Sequence, residues 1–241
     1  FITALNAENL VAFTPGPPAV WQFVANAGDG RSVEIHLLAD MVPGKNTTLL
    51  RFVRPPHAPA LGHELPSECS VSLTVRFDIE DRSFHCETKR NPGSEHHLGS
   101  NSHSLQGRAG FAFTPASDRQ LKVWADAGRY HHEGEWSVNV PHPVEATRGQ
   151  EGCGDAYSPG WFELPLRKGE AVTLAASAEA EEQFDLAGFH FTEAGRMTQP
   201  PTRWGESPAS PEGRGEPEGV AASPAPPARP APRPTTAPKT R

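Results

Sequence analysis

The side chains with chemical reach concentrate between Asp81 and Trp161. Asp81-Arg82 is followed by Phe84 and His85, and the run from Trp136 to Leu166, WSVNVPHPVEATRGQEGCGDAYSPGWFELPL, carries Trp136, Arg148, Asp155, Tyr157 and Trp161. An arginine beside carboxylates and aromatic rings has two uses. Bidentate N–H···O bonds can lock it as a structural pin, or its donors can bond sugar hydroxyls. Aromatic faces likewise suit either stacking on sugar rings or tight packing in a β-sandwich. For Arg82, and for Arg148 with Asp155, the structural role is favoured over the sugar-binding one.

Other chemistries find less support. His131-His132 with Glu133 and Glu135, and His96-His97 with His103, invite a metal. Adjacent histidines on a strand point to opposite faces, however, and no HxH pair is followed at the right spacing by Glu and His, so no metal site is expected. No GxSxG elbow occurs, and no cysteine sits in a nucleophile's context. Gly152 to Gly154 lacks the lysine and the helix of a phosphate loop. The carboxylates Asp78, Glu80 and Asp81, or Glu133 and Glu135, read as solvated edges rather than as a glycosidase pair, which needs a fixed separation across a cleft. No cofactor is implied.

What positions these residues is β-structure. Period-two alternation or β-rich composition marks Val20–Ala25, Ser32–Val42, Thr47–Arg54, Cys69–Phe77, Gly110–Thr114 and Gln120–Ala125 as strands. Further strands are expected at Tyr130–Val140, Gly160–Pro165 and Ala171–Ser177. In Ser70–Phe77 the residues Val71, Leu73, Val75 and Phe77 share one face and Ser72, Thr74 and Arg76 the other, the pattern of a half-buried antiparallel strand. Gly44-Lys45-Asn46 reads as a hairpin turn, and Arg167-Lys168-Gly169-Glu170 joins the last two strands. Only Ala178–Gly188 has helix-forming composition. The fold class is therefore mainly β, a large antiparallel β-sandwich over residues 1–195. Residues 196–241 form the second part. With 12 of the chain's 26 prolines between Pro200 and Pro238, that stretch is expected to be a disordered Pro/Ala-rich tail, either a linker or a polyproline ligand.

Charge and cysteine usage narrow the partners. The chain before Pro200 carries 16 Lys and Arg against 25 Asp and Glu, so no basic face is available for nucleic acid. Cys69, Cys86 and Cys153 are odd in number and lack CxxC spacing, which suits a reducing cytoplasm. No segment approaches the ~20 apolar residues of a membrane-spanning helix. The chain begins at Phe1 rather than Met, as a fragment or a processed product would.

Four stretches in order resemble the N-terminal, non-catalytic domain of bacterial and archaeal glycogen debranching enzymes of the amylo-α-1,6-glucosidase type. VEIHLLADMVPGKNTTLLR (Val33–Arg51) resembles the family's strand, Gly-x-Asn-Thr turn and return strand. LTVRFDIEDRSFHCETKRN (Leu73–Asn91) resembles its strand and Arg-x-x-His element, here Arg82 and His85. Trp136–Arg148 resembles its tryptophan followed by Pro-x-x-x-x-x-Arg-Gly, and Gly154–Leu174 its Asp-x-Tyr-Ser-Pro-Gly-x-Phe strand and Gly-Glu turn. The resemblance spans most of residues 18–180.

It implies a supersandwich that packs on a following (α/α)6 toroid in which α-1,6 branch linkages are hydrolysed. These 241 residues offer no positions for that toroid's carboxylates, so the chain by itself is expected to be inactive. In this reading Trp136, Tyr157 and Trp161 stack on glucose rings of an α-glucan while Arg82, Arg148 and Asp155 bond hydroxyls. The alternative is a free-standing carbohydrate-binding or protein-interaction module whose proline tail recruits a partner.

Overall fold

In the computed structural model the described residues are 2–83, 86–180 and 186, and they fall within one compact unit. They are mainly β. β1 (Leu10–Thr14), β2 (Ala19–Gly28), β3 (Arg31–Met41), β4 (Thr47–Val53), β5 (His63–Glu64), β6 (Ser72–Arg76), α1 (Pro92–Ser100), β7 (Ser102–Ser104), β8 (Gly110–Ala116), β9 (Arg119–Ala125), β10 (Arg129–His131), β11 (Glu135–Pro141), α2 (Pro143–Thr147), β12 (Cys153–Ser158), β13 (Trp161–Pro165) and β14 (Ala171–Ser177) follow in order.

A nine-stranded sheet runs β1-β2-β3-β4-β14-β9-β8-β7, with β5 added to the free stretch of β3. Its pairings are antiparallel, as the alternation requires, save β3 with β5, which is parallel. The hairpin between β3 and β4 turns at Gly44, whose φ of 73° lies in the left-handed region that glycine tolerates. β14 spans Ala171–Ser177 as the sequence predicts and sits between β4 and β9 at the centre of the sheet.

Alternation sends one set of side chains from this sheet into the main core. Val33 and Ile35 of β3, Phe52 of β4, Phe111 and Phe113 of β8, Val123 of β9 and Val172 and Leu174 of β14 are all buried there. Facing them is a three-stranded sheet, β10-β13-β6, which contributes Phe162 and Leu164. The predicted alternation of Ser70–Phe77 holds: Leu73 and Val75 pack on this core and Ser72, Thr74 and Arg76 are exposed. Phe162 is fully buried, with its ring centroid 5.0 Å from Tyr130, 6.0 Å from Phe77 and 6.4 Å from Phe111. Leu38, Leu49, Trp124 and Ala175 form a second buried cluster on the opposite face of the large sheet.

The structure corrects the sequence reading in two places. Tyr130–Val140 is not one strand: β10 joins the three-stranded sheet, β11 pairs with β12, and the break falls at Gly134, where a Cβ would collide with the Tyr157 hydroxyl. Helices also exist where none was expected. α1 is started by Asn91, whose Oδ1 accepts from the N–H groups of Gly93 and Ser94 while Ser94 Oγ accepts from Asn91 N–H, a capping box with Pro92 in the first turn. α2 likewise opens on Pro143. The helix expected at Ala178–Gly188 lies mostly outside the described residues, and the expected tail and the boundary at residue 195 lie wholly outside them. No helix among the described residues is long and apolar enough to cross a membrane.

Candidate functional site

β11, α2 and β12 form an arm that carries most of the singled-out residues. β11 and β12 pair antiparallel, with Trp136 opposite Tyr157 and a bulge between Ser137 and Val140. Asn139 in that bulge has φ 56°, a left-handed conformation that asparagine tolerates better than most residues. The distortion turns Asn139 N–H onto Asp155 Oδ1 (2.9 Å), while Asp155 Oδ2 accepts from Arg90 N–H (2.8 Å). The Asp155 N–H in turn donates to Thr88 O at 2.8 Å. Those two backbone donors, Arg90 first and Asn139 second, hold the Asp155 carboxyl below the usual aspartate range. Asp155 is thus a pin that stitches residues 88–90 to the arm. It makes no ion pair with Arg148, which caps the C-terminal end of α2 and is exposed.

Arg82 is the centre of a second knot. Its Nε donates to Glu80 Oε2 (2.8 Å), Nη1 to Glu87 Oε1 (3.2 Å) and Nη2 to Glu145 Oε1 (2.8 Å). Hydrogen bonding to Glu145 is the main cause that raises the guanidinium's pKa, and the same bond holds the Glu145 carboxyl low. His142, at the start of α2, faces the remaining oxygens of the same three carboxylates: Nε2 lies 3.2 Å from Glu80 Oε1, and Nδ1 lies 3.2 Å from both Glu87 Oε2 and Glu145 Oε2. Gly154 on β12 permits this closeness, since a Cβ there would stand 2.8 Å from His142 Cε1 and 3.0 Å from Glu87 Oε2. The knot therefore ties Glu80, Arg82 and Glu87 to the α2 end of the arm.

A cleft of about 280 Å³ opens beside the knot, lined by Asp81, Arg82, Glu87, Lys89 and His97 among others. Asp81 is fixed from two sides, by His97 Nε2 and Arg119 Nη1, each at 2.8 Å. No Phe, Tyr or Trp is among the described residues that line it. Its size sits just under the ~300–1,000 Å³ common for small-molecule sites, and most of the residues that line it are of polar types.

The aromatic residues lie elsewhere. Trp136 packs on Tyr157 with centroids 5.4 Å apart, both half-buried against the main core, and burial raises the Tyr157 pKa. Trp161 is on β13, where Phe162 and Leu164 enter the core and Trp161 and Glu163 take the outer face. There its ring stacks on His131 at 3.9 Å and 11°. Arg76, its neighbour across the strand pair, donates to Glu135 Oε2 at 2.8 Å. His85 lies outside the described residues.

The singled-out residues thus fall into three places rather than one pocket: Arg82 in the knot, Asp155 with Trp136 and Tyr157 in the arm, and Trp161 on the outer sheet face. Sequence reasoning missed Glu87, Glu145 and His142. The one local signal was the His-Pro-x-Glu spacing that puts His142 and Glu145 one helical turn apart at the start of α2.

No curated protein matches the chain. Residues 5–173, which run from before β1 into the start of β14 and include the arm and the knot, match the family model described as glycogen debranching enzyme N terminal. That match covers well over half of the sequence, and the chain belongs to the glycogen debranching enzyme N-terminal domain family.

Proposed function

We infer that this domain serves an amylo-α-1,6-glucosidase as a stiff wall along the path of an α-glucan, packed in cis or in trans against an (α/α)6 catalytic domain. The observation that carries the reading is how the polar groups are used. Arg82 and Asp155 are engaged by their own chain, which fixes loop shape, while Trp161 lies on the outer face of β13. Carbohydrate recognition by such a surface draws on the aromatic face and on the neighbouring His131, Glu163 and Arg76. The three cysteines Cys69, Cys86 and Cys153 are free thiols, which suits a cytoplasmic enzyme.

Docking on a catalytic domain is supported by Val138 of β11 and Val144 of α2, which are 54% and 60% exposed on one connected segment. A free-standing module would use the same Trp161 face, but it gives those two valines no partner. Titrating maltoheptaose into the purified chain tests the glucan contact. Trp161→Ala should weaken affinity about tenfold, which corresponds to ~1.4 kcal/mol, with the circular dichroism spectrum unchanged. Equal affinity in the variant would remove Trp161 from the glucan path.

A further inference from the structure

The knot around Arg82 is short of positive charge. Glu80, Glu87 and Glu145 surround one guanidinium, so the group carries a formal −2 when His142 is neutral. Arg82 satisfies one oxygen of each carboxylate and leaves the other three turned toward the imidazole. Of these, only Glu80 Oε1 has a hydrogen bond, to His142 Nε2. Glu87 Oε2, Glu145 Oε2 and His142 Nδ1 are buried with no hydrogen-bond partner, despite the 3.2 Å separations. The Glu87 side chain is nine-tenths buried, at 10% exposure, and its open oxygen points into the group. An imidazolium does not close this account: its Nδ1–H can serve one of the two oxygens and leaves the other orphaned, with the group still at −1.

We propose that Glu80, Glu87 and His142 bind a divalent cation of the zinc class. One ligand atom from each of the three residues lies within 4.8 Å of the others. Two donors on one ion, each about 2.0–2.2 Å from it, stand roughly 2.9–3.5 Å apart, and Glu80 Oε1 and His142 Nε2 are 3.2 Å apart. The ion takes Nε2, Glu80 Oε1 and Glu87 Oε2, and Nδ1–H then donates to Glu145 Oε2, so all three orphaned atoms gain partners at once. Holding a ligating imidazole through its other N–H to a carboxylate is the usual outer-shell arrangement of such sites. One imidazole nitrogen with carboxylate oxygens favours zinc, manganese or iron(II) over calcium or magnesium. The site staples Glu80 and Glu87 to the start of α2 and so braces the cleft wall, whether or not glucan binds there.

The test is to strip the full chain with EDTA and titrate it with Zn²⁺, following Tm and stoichiometry. One equivalent should bind, and at about a hundredfold excess over Kd the Tm should rise by roughly 5–10 °C. Co²⁺ in place of zinc should show visible d–d bands without a thiolate charge-transfer band. Glu87→Gln and His142→Gln should each lose at least tenfold in affinity. An absent Tm shift, a thiolate band that points to Cys86 or Cys153, or full affinity in both variants would overturn the proposal. The Co²⁺ spectrum of the unaltered chain decides the matter even where a variant fails to fold.

Discussion

Arg82 and His142 face the same three carboxylates from different oxygens: Arg82 bonds Glu80 Oε2, Glu87 Oε1 and Glu145 Oε1, and His142 lies 3.2 Å from Glu80 Oε1, Glu87 Oε2 and Glu145 Oε2. Glu80, Arg82 and Glu87 are thereby fixed to His142 and Glu145, about sixty positions further along the chain. A guanidinium fork serves three partners in a way that a single ammonium cannot. Arg82→Ala should lower Tm clearly, Arg82→Lys should fail to restore it, and Arg148→Ala, on the exposed end of α2, should leave it unchanged. Thermal unfolding of the three variants checks this, and equal Tm values for Arg82→Ala and Arg148→Ala would show the knot to be idle.

Asp155 ties acid stability to the arm. Its folded pKa lies below its unfolded value of about 3.9, so its contribution is fully present above that value and is lost as pH falls through the lower, folded pKa. Urea midpoints should therefore fall as pH drops below about 4, and Asp155→Asn should flatten that limb while it lowers stability at neutral pH. A limb of undiminished slope in the variant would assign the acid sensitivity to other carboxylates.

Asn91 caps α1 through two backbone N–H groups. Asn91→Ala should cost about 1 kcal/mol of stability, read from the urea midpoint. Because α1 and its cap supply Asn91, Ser94, His97 and Leu98 to the cleft wall, the same variant should speed amide exchange there before it does so in β14.

Phe162 joins the small sheet to the large one through Phe111. Phe162→Ala should cost about 3–5 kcal/mol, since the ring is fully buried and its neighbours are held by two sheets. A loss under 1 kcal/mol would mean that the sheets close up around the gap.

How much of this was legible in the sequence follows from which forces are local. β14 and the face pattern of Ser70–Phe77 were readable because period-two alternation is written in the chain itself. α1 was not, since Gly93 and Gly99 weaken its helix propensity and the Asn91-Pro92-x-Ser94 start signal is short. The split of Tyr130–Val140 depends on Gly134 meeting Tyr157, a contact 23 positions away. Arg82 and Asp155 were singled out from residue type and neighbours alone, yet their partners could not be named. Glu145 is 63 positions from Arg82, and the donors to Asp155 are backbone groups of Arg90 and Asn139 that only the folded bulge and loop bring near. Family resemblance supplied what local pattern could not, and the match over residues 5–173 agrees with it.

The claim that the domain flanks an α-glucan is tested most directly by hydrogen–deuterium exchange of the chain with and without maltoheptaose. The account predicts slowed exchange concentrated in β10 and β13, around His131 and Trp161, with little change in the arm that Asp155 already pins. Unchanged exchange throughout, or protection confined to segments remote from Trp161, would contradict it.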